Sequence, residues 1–561
     1  MSEPIDRCLD LAELCVRHGI SQAVLSPGSR NAPLSLAFSR TAGIQTRMVL
    51  DERSAGFLAL GLAQATGQPV ALICTSGTAV LNYAPAVTEA YYARTPLLVL
   101  TADRPPEWID QRDGQSIHQD RVYEPHIRFE ATLPTAGSSP DERWHWNRLC
   151  NEALLRLTHP VSGPVHLNVP FREPFYPKLS GPRSRSAPRK IDWISGGRDL
   201  ASVWPEVGER LRKRQRILVV GGWGEPDGER NRALARCAGI RHLPVVGDHI
   251  ANLGQFPERI WAQDTLALSP RKELEPDLII TWGRGMLSRP WKTWLRQRQC
   301  PVWYLDPAGE ILDTTQRLET VIGCTPTEFF RTWAGEPDAP ESAPDYLDKW
   351  QAAQEKVQEF QSRILAQTQA PLQSEPWIIA RLLQALSRDT VLHLGNSMPV
   401  RWANFFPLPE GVEVRSNRGT SGIDGILSTA LGHAWGDPRL QILVLGDLSL
   451  AYDCAPFLNQ GLPGNLHILV LNNGGGGIFG LIDGPADQPE FDTVFRQVHE
   501  QSVLDRVPLP EGGKWQTSTV AEFDRQVHQF VRADGVPRVW ELQTDWQVNK
   551  RFLTQLKEVS G

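Results

Sequence analysis

Gln441–Gly480 reads QILVLGDLSLAYDCAPFLNQGLPGNLHILVLNNGGGGIFG, two short apolar runs that each end abruptly in polar and glycine residues. The first run, Ile442 to Leu445, ends in Gly446-Asp447-Leu448-Ser449. The second, Leu466 to Leu471, ends in Asn472-Asn473 and four glycines. Runs this short and this apolar read as strands of a parallel sheet whose faces are both covered by helices. Asp447 and Asn473 then stand side by side at the carboxyl edge of one sheet, where open α/β sheets bind their ligands. A carboxylate, an amide oxygen and the carbonyl of a bare glycine are hard donors suited to Mg²⁺ or Ca²⁺. Glycine also lets the backbone approach a phosphate closely. A single Gly-Asp or Asn-Asn pair is an ordinary turn. Two such ends, each behind a buried strand, point instead to a metal that anchors a phosphate.

Strand and helix patterns alternate along the rest of the chain. In residues 1–178, LDLAELCVRHGI and SAGFLALGLAQATG read as helices, while QAVL, PVALIC and TPLLVLTAD read as strands, and GPVHLNVPFREPF closes the unit. This alternation predicts a doubly wound parallel sheet. Lys178–Lys190, rich in Pro, Ser and Arg, reads as a linker. A second unit, 191–335, carries RILVVGG, PDLIITWG and VWYLDP, and the acidic, Pro-rich Ala334–Tyr346 reads as a second linker. A third unit, 365–561, adds TVLHLGNS and RVWELQT to the opening stretch. The expected fold class is therefore α/β, with three doubly wound parallel-sheet domains, a number that 561 residues also suggest. GGWGEPDG (Gly221–Gly228) lacks GxGxxG spacing and reads as a plain strand-to-helix turn, with no second cofactor assigned there.

Composition narrows the function classes. With 41% hydrophobic and 22% charged residues the chain is globular, and a net charge of −6 argues against a general nucleic-acid binder. Eight cysteines without a CxxC pair read as reduced thiols, which suits a cytoplasmic protein. The acidic N-terminal region lacks the apolar core of a signal peptide, and no apolar run is long enough for a membrane span. The nineteen tryptophans carry no functional reading.

The Gly-Asp-Leu-Ser and Asn-Asn ends resemble the signature of thiamine-diphosphate (ThDP) enzymes, in which Mg²⁺ anchors the cofactor's diphosphate. The resemblance implies cofactor contacts from Gly446, Asp447, Leu448, Ser449 and Asn473. It implies metal ligation by Asp447, Asn473 and the carbonyl of Gly475, with Mn²⁺ as an alternative ion. It further implies a glutamate that hydrogen-bonds N1′ of the cofactor's pyrimidine, so that the cofactor's own amine removes the C2 proton. That glutamate must precede a helix in another α/β unit. Glu52, in MVLDERSAGFLALGLA, follows a strand and opens a helix of small apolar residues. Taken alone, it reads as an ordinary charge at a helix N-terminus.

Four further motifs sharpen the resemblance: SPGSR (Ser26–Arg30), TADRPP (Thr101–Pro106), GNS (Gly395–Ser397) and SNRGTSGIDG (Ser416–Gly425). Together they resemble the family of 2-succinyl-5-enolpyruvyl-6-hydroxy-3-cyclohexene-1-carboxylate (SEPHCHC) synthases, across all three units and most weakly in the middle one. The resemblance implies decarboxylation of 2-oxoglutarate on ThDP and 1,4-addition of the succinyl carbanion equivalent to isochorismate, in menaquinone or phylloquinone biosynthesis. Both substrates are dicarboxylates, which planar, bidentate arginine binds well. By the same resemblance Ser397 and Arg401 hold the succinyl carboxylate, Ser29, Arg30 and Arg104 face isochorismate, and Arg418 lies near the intermediate. Ile423 matches a wedge that bends the cofactor, and Ile478, Phe479 and Ile482 match an apolar wall that favours loss of charge on decarboxylation. Core packing is the competing reading of these four.

Two positions depart from the family pattern. Gln115 is retained in Gly114-Gln115-Ser116-Ile117, but its usual polar neighbour is Gly114. In GRGMLSRPWKTW, Arg289 stands where the family has a lysine, with Lys292 three residues on. The resemblance also implies active sites between subunits of a homodimer or homotetramer. Another ThDP-dependent 2-oxo-acid carboligase or decarboxylase, and a non-catalytic protein that kept the fold, remain as alternatives.

Overall fold

In the computed structural model, every strand pairing among the described residues is parallel. The structure describes residues 4–135, 139–173, 175–176, 187–193, 200–268, 271–367, 374–458, 461–508, 513–517 and 519–560. Residues 178–186 of the first expected linker lie outside them.

The first sheet holds β1 (Gln22–Leu25), β2 (Gln45–Met48), β3 (Val70–Cys74), β4 (Leu97–Asp103), β5 (Phe129–Thr132) and β6 (Val165–Pro170), in the order β2-β1-β3-β4-β6-β5. The second holds β7 (Ile217–Gly221), β8 (Val245–Gly247), β9 (Arg259–Ile260), β10 (Leu278–Trp282), β11 (Val302–Leu305) and β12 (Leu318–Ile322), in the order β12-β11-β10-β7-β8-β9. The third holds β13 (Val391–Leu394), β14 (Glu413–Arg415), β15 (Gln441–Gly446), β16 (Leu466–Asn472), β17 (Lys514–Thr517) and β18 (Arg538–Gln543), in the order β14-β13-β15-β16-β18-β17. The first and third sheets thus share one topology. In each, the chain reverses its direction of growth beside the first strand, which opens a crevice at the carboxyl edge. VALIC of β3 and LHILVLN of β16 are buried at every residue, as strands covered on both faces must be.

The first and third units share a core. The helix Glu52–Thr66 packs on the helix Ile426–Gly436, and Phe57, Leu60, Leu427 and Leu431 fall in one buried cluster. A Cβ on Gly61 would lie 1.9 Å from the carbonyl oxygen of Thr429, and one on Gly432 would lie 2.0 Å from that of Leu58. The backbones therefore touch, which is why the Glu52 helix is built of small residues.

The second expected linker, Ala334–Tyr346, runs between two helices. The helix Pro326–Gly335 covers its first two residues and the helix Pro344–Gln367 its last three, with non-helical residues 336–343 between them, and Tyr346, Trp350 and Ala353 pack against the middle sheet. Proline and acidic residues mark helix N-termini as well as linkers, and here Pro344 and Asp345 open a helix. Most of the tryptophans are buried, with Trp108, Trp144 and Trp193 exposed; in the middle unit Trp291 and Trp294 stack at 4.9 Å, with Trp350 edge-on to Trp291. All eight cysteines are unpaired. Among the described residues no helix is long and apolar enough to cross a membrane.

Candidate active site

Strands β15 and β16 pair through Gly446 and Leu471, so Asp447 and Asn473 leave the sheet at the same edge. Both line a cleft of about 340 Å³ together with Ser397, Arg401, Arg418, Ile423, Ile478 and Phe479. Asp447 is 2% exposed. Its Oδ1 accepts from the Leu448 backbone N–H at 2.8 Å, and its Oδ2 accepts from the Gly475 N–H at 2.8 Å and lies 2.9 Å from His499 Nε2. Burial pushes the Asp447 carboxyl above its ordinary range, and these bonds oppose that shift. Gly475 has φ +136°, and a Cβ there would lie 2.4 Å from the Arg496 carbonyl oxygen, so the position requires glycine. Asn473 Oδ1 accepts from the Gly477 N–H at 3.2 Å, and Nδ2 donates to Glu375 Oε1 at 2.9 Å.

These donors fit a hard ion that arrives with a phosphate. Among the described residues no group of three or more His, Cys, Asp or Glu could hold a metal. One carboxylate with an amide oxygen and a glycine carbonyl leaves coordination positions for phosphate oxygens and water, the usual arrangement for Mg²⁺.

Two half-buried arginines open on the same cleft. Arg401 follows β13 on the helix Pro399–Ala403 and donates through Nη1 to the Ser397 carbonyl, where Ser397 adopts φ +71°. Arg418 follows β14 and donates through Nη1 to Asn396 Oδ1 at 2.7 Å. Asn396 Nδ2 in turn donates to the carbonyls of Asn417 at 2.6 Å and Gly422 at 2.7 Å, which staples the loops after β13 and β14 together. Burial lowers the pKa of both arginines, and the charge of Arg401 lowers that of Arg418 further. Among the described residues neither has a carboxylate within salt-bridge distance. A bound dianion would relieve that mutual repulsion. Lys292 is half-buried, and burial followed by the charge of Arg418 lowers its pKa as well. Arg289 is exposed and does not line the cleft, and neither does Ile482, which is 44% exposed.

The remaining expected residues gather at the carboxyl edge of the first sheet. Arg104 follows β4 and donates through Nη1 to Ser76 Oγ and to the Gln115 carbonyl, each at 3.1 Å, while its Nε pairs with Asp113. Arg30 donates through Nη1 to the Phe171 carbonyl at 3.1 Å, and burial and then the charge of Arg104 lower its pKa. Ser29 and Gln115 are exposed. Glu52 opens its helix half-buried, and burial raises its carboxyl pKa. None of these residues lines the cleft of the third unit.

A larger cavity of about 740 Å³ lies between the first and middle units and includes Trp223, Gly224 and Glu225 of the GGWGEPDG turn. Of its cations, Arg94 pairs with Asp306 at 3.5 Å, Arg284 with Glu225 at 3.1 Å and Arg331 with Glu229, while Arg230 donates to the backbone carbonyls of Glu225, Ala251 and Asn252. It contains none of the expected site residues.

Residues 10–122 match the family described as thiamine pyrophosphate enzyme, N-terminal TPP binding domain. The chain is 37% identical to the SEPHCHC synthase of Cytophaga hutchinsonii over 98% of each chain. It is 36% identical to that of Desulfotalea psychrophila over 96% of this chain and 98% of the relative. It is 38% identical to that of Bacteroides fragilis over 85% of this chain and 84% of the relative. The chain belongs to the SEPHCHC synthase family, whose members are ThDP-dependent enzymes.

For a SEPHCHC synthase family member, the sequence reading passed over two buried acids at this site. Glu375 lines the cleft and is 2% exposed. Glu89, 1% exposed on the helix Ala84–Ala93, reaches from the first unit to the loop that carries Arg418. It accepts from the N–H groups of Gly419 at 2.7 Å and Thr420 at 2.6 Å, and from Thr420 Oγ1 at 2.8 Å. Neither sits in a glycine-flanked strand end, so no local signal marks it.

Proposed function

We propose that the protein carries out the SEPHCHC synthase reaction, decarboxylating 2-oxoglutarate and adding its succinyl unit to isochorismate by 1,4-addition, with ThDP and Mg²⁺. The observation that carries this reading is a cleft lined together by the oxygens of Asp447 and Asn473 and by two arginines, Arg401 and Arg418, that have no carboxylate partner among the described residues.

Bound ThDP supplies a nucleophilic carbon that takes up the 2-oxo acid and accepts the charge left when CO₂ departs. Asp447, Asn473 and the Gly475 carbonyl would hold Mg²⁺, with Gly446, Leu448 and Ser449 facing the diphosphate. Arg401 and Ser397 orient the distal carboxylate, so the 2-oxo end lies against Ile478 and Phe479. That apolar surface excludes water and favours a step in which charge is lost. Ile423 lines the same cleft as Arg418 and would shape the bound cofactor. Glu52 shares a proton with N1′ of the pyrimidine, a task its raised pKa suits. Lys292 adds positive charge on the substrate side, and Arg289 is the weaker candidate for that role.

Glu52, Ser29, Arg30, Arg104 and Gln115 belong to the first unit and do not line the cleft of their own chain. We infer that the first unit of a second copy closes over it, which makes the active form a homodimer or a higher assembly of dimers.

The test is consumption of isochorismate, followed at its diene absorbance, by protein supplied with ThDP, Mg²⁺ and either 2-oxoglutarate or pyruvate. Loss of signal with 2-oxoglutarate alone is expected. Release of CO₂ from a 2-oxo acid without loss of isochorismate would keep the cofactor site and overturn the acceptor.

A further inference from the structure

Besides Asp447, Glu375 is the carboxylate that lines the cleft, and it lies in none of the motifs that carry the family resemblance. It opens the helix Glu375–Ala385, where its own backbone N–H donates to Asn549 Oδ1 at 2.9 Å. Among the described residues it has no cation within salt-bridge distance. Its two oxygens instead accept from three side chains. Oε1 takes Asn473 Nδ2 at 2.9 Å and Thr544 Oγ1 at 3.1 Å, and Oε2 takes Trp402 Nε1 at 2.7 Å.

The two ends of an asparagine amide have nearly the same shape and opposite hydrogen-bonding character. An ionised carboxylate only accepts, so it forces Nδ2 of Asn473 toward itself and turns Oδ1 the other way. We propose that Glu375 is a positioning residue that fixes the Asn473 amide so that its oxygen, not its nitrogen, faces the divalent cation. The proposal rests on the reading of Asp447 and Asn473 as the metal site. A flipped amide would withdraw one ligand and point N–H hydrogens at the ion.

Glu375→Gln tests this with almost no change of shape. The indole N–H of Trp402 can only donate, so it claims the single oxygen of the introduced amide. The amide NH₂ then faces Asn473, whose own amide satisfies it by flipping, while the Thr544 hydroxyl rotates to accept. In that arrangement the Gly477 N–H gives up Asn473 and keeps only the Gly475 carbonyl at 3.0 Å, and the metal has lost an oxygen ligand.

The measurement is calorimetric titration of ThDP into substrate-free protein over a series of Mg²⁺ concentrations. E375Q is expected to raise the Mg²⁺ half-saturation by roughly 10–100-fold, the usual effect of removing an outer-shell partner. In E375Q/W402F the indole donor is gone, the introduced amide can turn its oxygen to Asn473, and Mg²⁺ affinity should return to that of W402F. Unchanged Mg²⁺ affinity in E375Q, or no recovery in the double variant, overturns the proposal. If E375Q alone folds poorly, the double variant against W402F decides the question, since a tenfold or larger deficit there contradicts the proposal. If the parent protein itself shows no Mg²⁺-dependent ThDP binding, the metal site fails and not merely the role of Glu375.

Discussion

Glu52 and Asp453 are both acids whose pKa is raised by burial, yet they call for opposite tests. For Glu52 the proposed role is a proton shared with the cofactor, which a raised pKa suits, so Glu52→Gln should bind ThDP and Mg²⁺ normally while kcat falls by about 10²–10⁴-fold. Calorimetry beside steady-state rates checks both halves, and near-normal turnover would remove Glu52 from its role. Asp453 is fully buried, and its carboxyl is pushed up to about 7 while it accepts from the Ser428 N–H and Oγ, each at 2.7 Å. The native state therefore keeps a proton that the unfolded chain releases near its ordinary value of 3.8. That contribution to stability is complete below the unfolded value and is lost as pH rises through about 7. Asp453→Asn can keep both bonds, its oxygen accepting the N–H and its nitrogen donating to Oγ. Its melting temperature should fall less between about pH 5 and about pH 8 than that of the parent. An identical pH dependence in the variant would contradict the assignment. At this scale legibility divides sharply. Asp447 and Asn473 stand at strand ends flanked by glycine and can be read locally. Glu375 and Glu89 are defined by donors that come from distant segments, so nothing beside them in the chain announces them.

At the level of elements, the join between the helices Glu52–Thr66 and Ile426–Gly436 sets two local rules against each other. Alanine is favoured over glycine inside a helix by about 1 kcal/mol. At Gly432 the added Cβ would meet the Leu58 carbonyl, which is backbone and cannot rotate away. Gly432→Ala should therefore be destabilising by about 1–3 kcal/mol in denaturant unfolding, and a stabilised variant would show that the helices do not touch there. The strands were legible because they are apolar on both faces, and the small residues of the Glu52 helix were visible without their reason. Their reason is a partner helix hundreds of residues away in sequence. The helix Pro344–Gln367 begins in the last three residues of the expected linker, and Tyr346 and Trp350 bury it against the middle sheet, a contact its opening proline and acid do not announce.

Across the whole molecule, two sheets of the same strand order would, on the proposed reading, carry complementary halves of one chemistry. The third offers the oxygens and the arginines Arg401 and Arg418, while the first offers Glu52 and the neighbouring pair Arg30 and Arg104. The middle sheet braces the arrangement. Its Asp248 accepts from Asn404 Nδ2 at 2.9 Å and Asp264 accepts from the same nitrogen at 3.0 Å, which holds the end of the helix bearing Arg401. The three-sheet plan could be read from the strand pattern alone. The separation of the two half-sites within one chain could not, because it depends on how the units dock.

The most direct measurement is the activity of a purified heterodimer of E52Q and D447A chains, carrying different tags, each inactive as a homodimer. If each site joins the first unit of one copy to the third unit of the other, one site combines both substitutions and its twin is intact. The heterodimer should then show about half the specific activity of the parent dimer. A heterodimer as inactive as its two parents would place the whole site within a single chain and contradict the account.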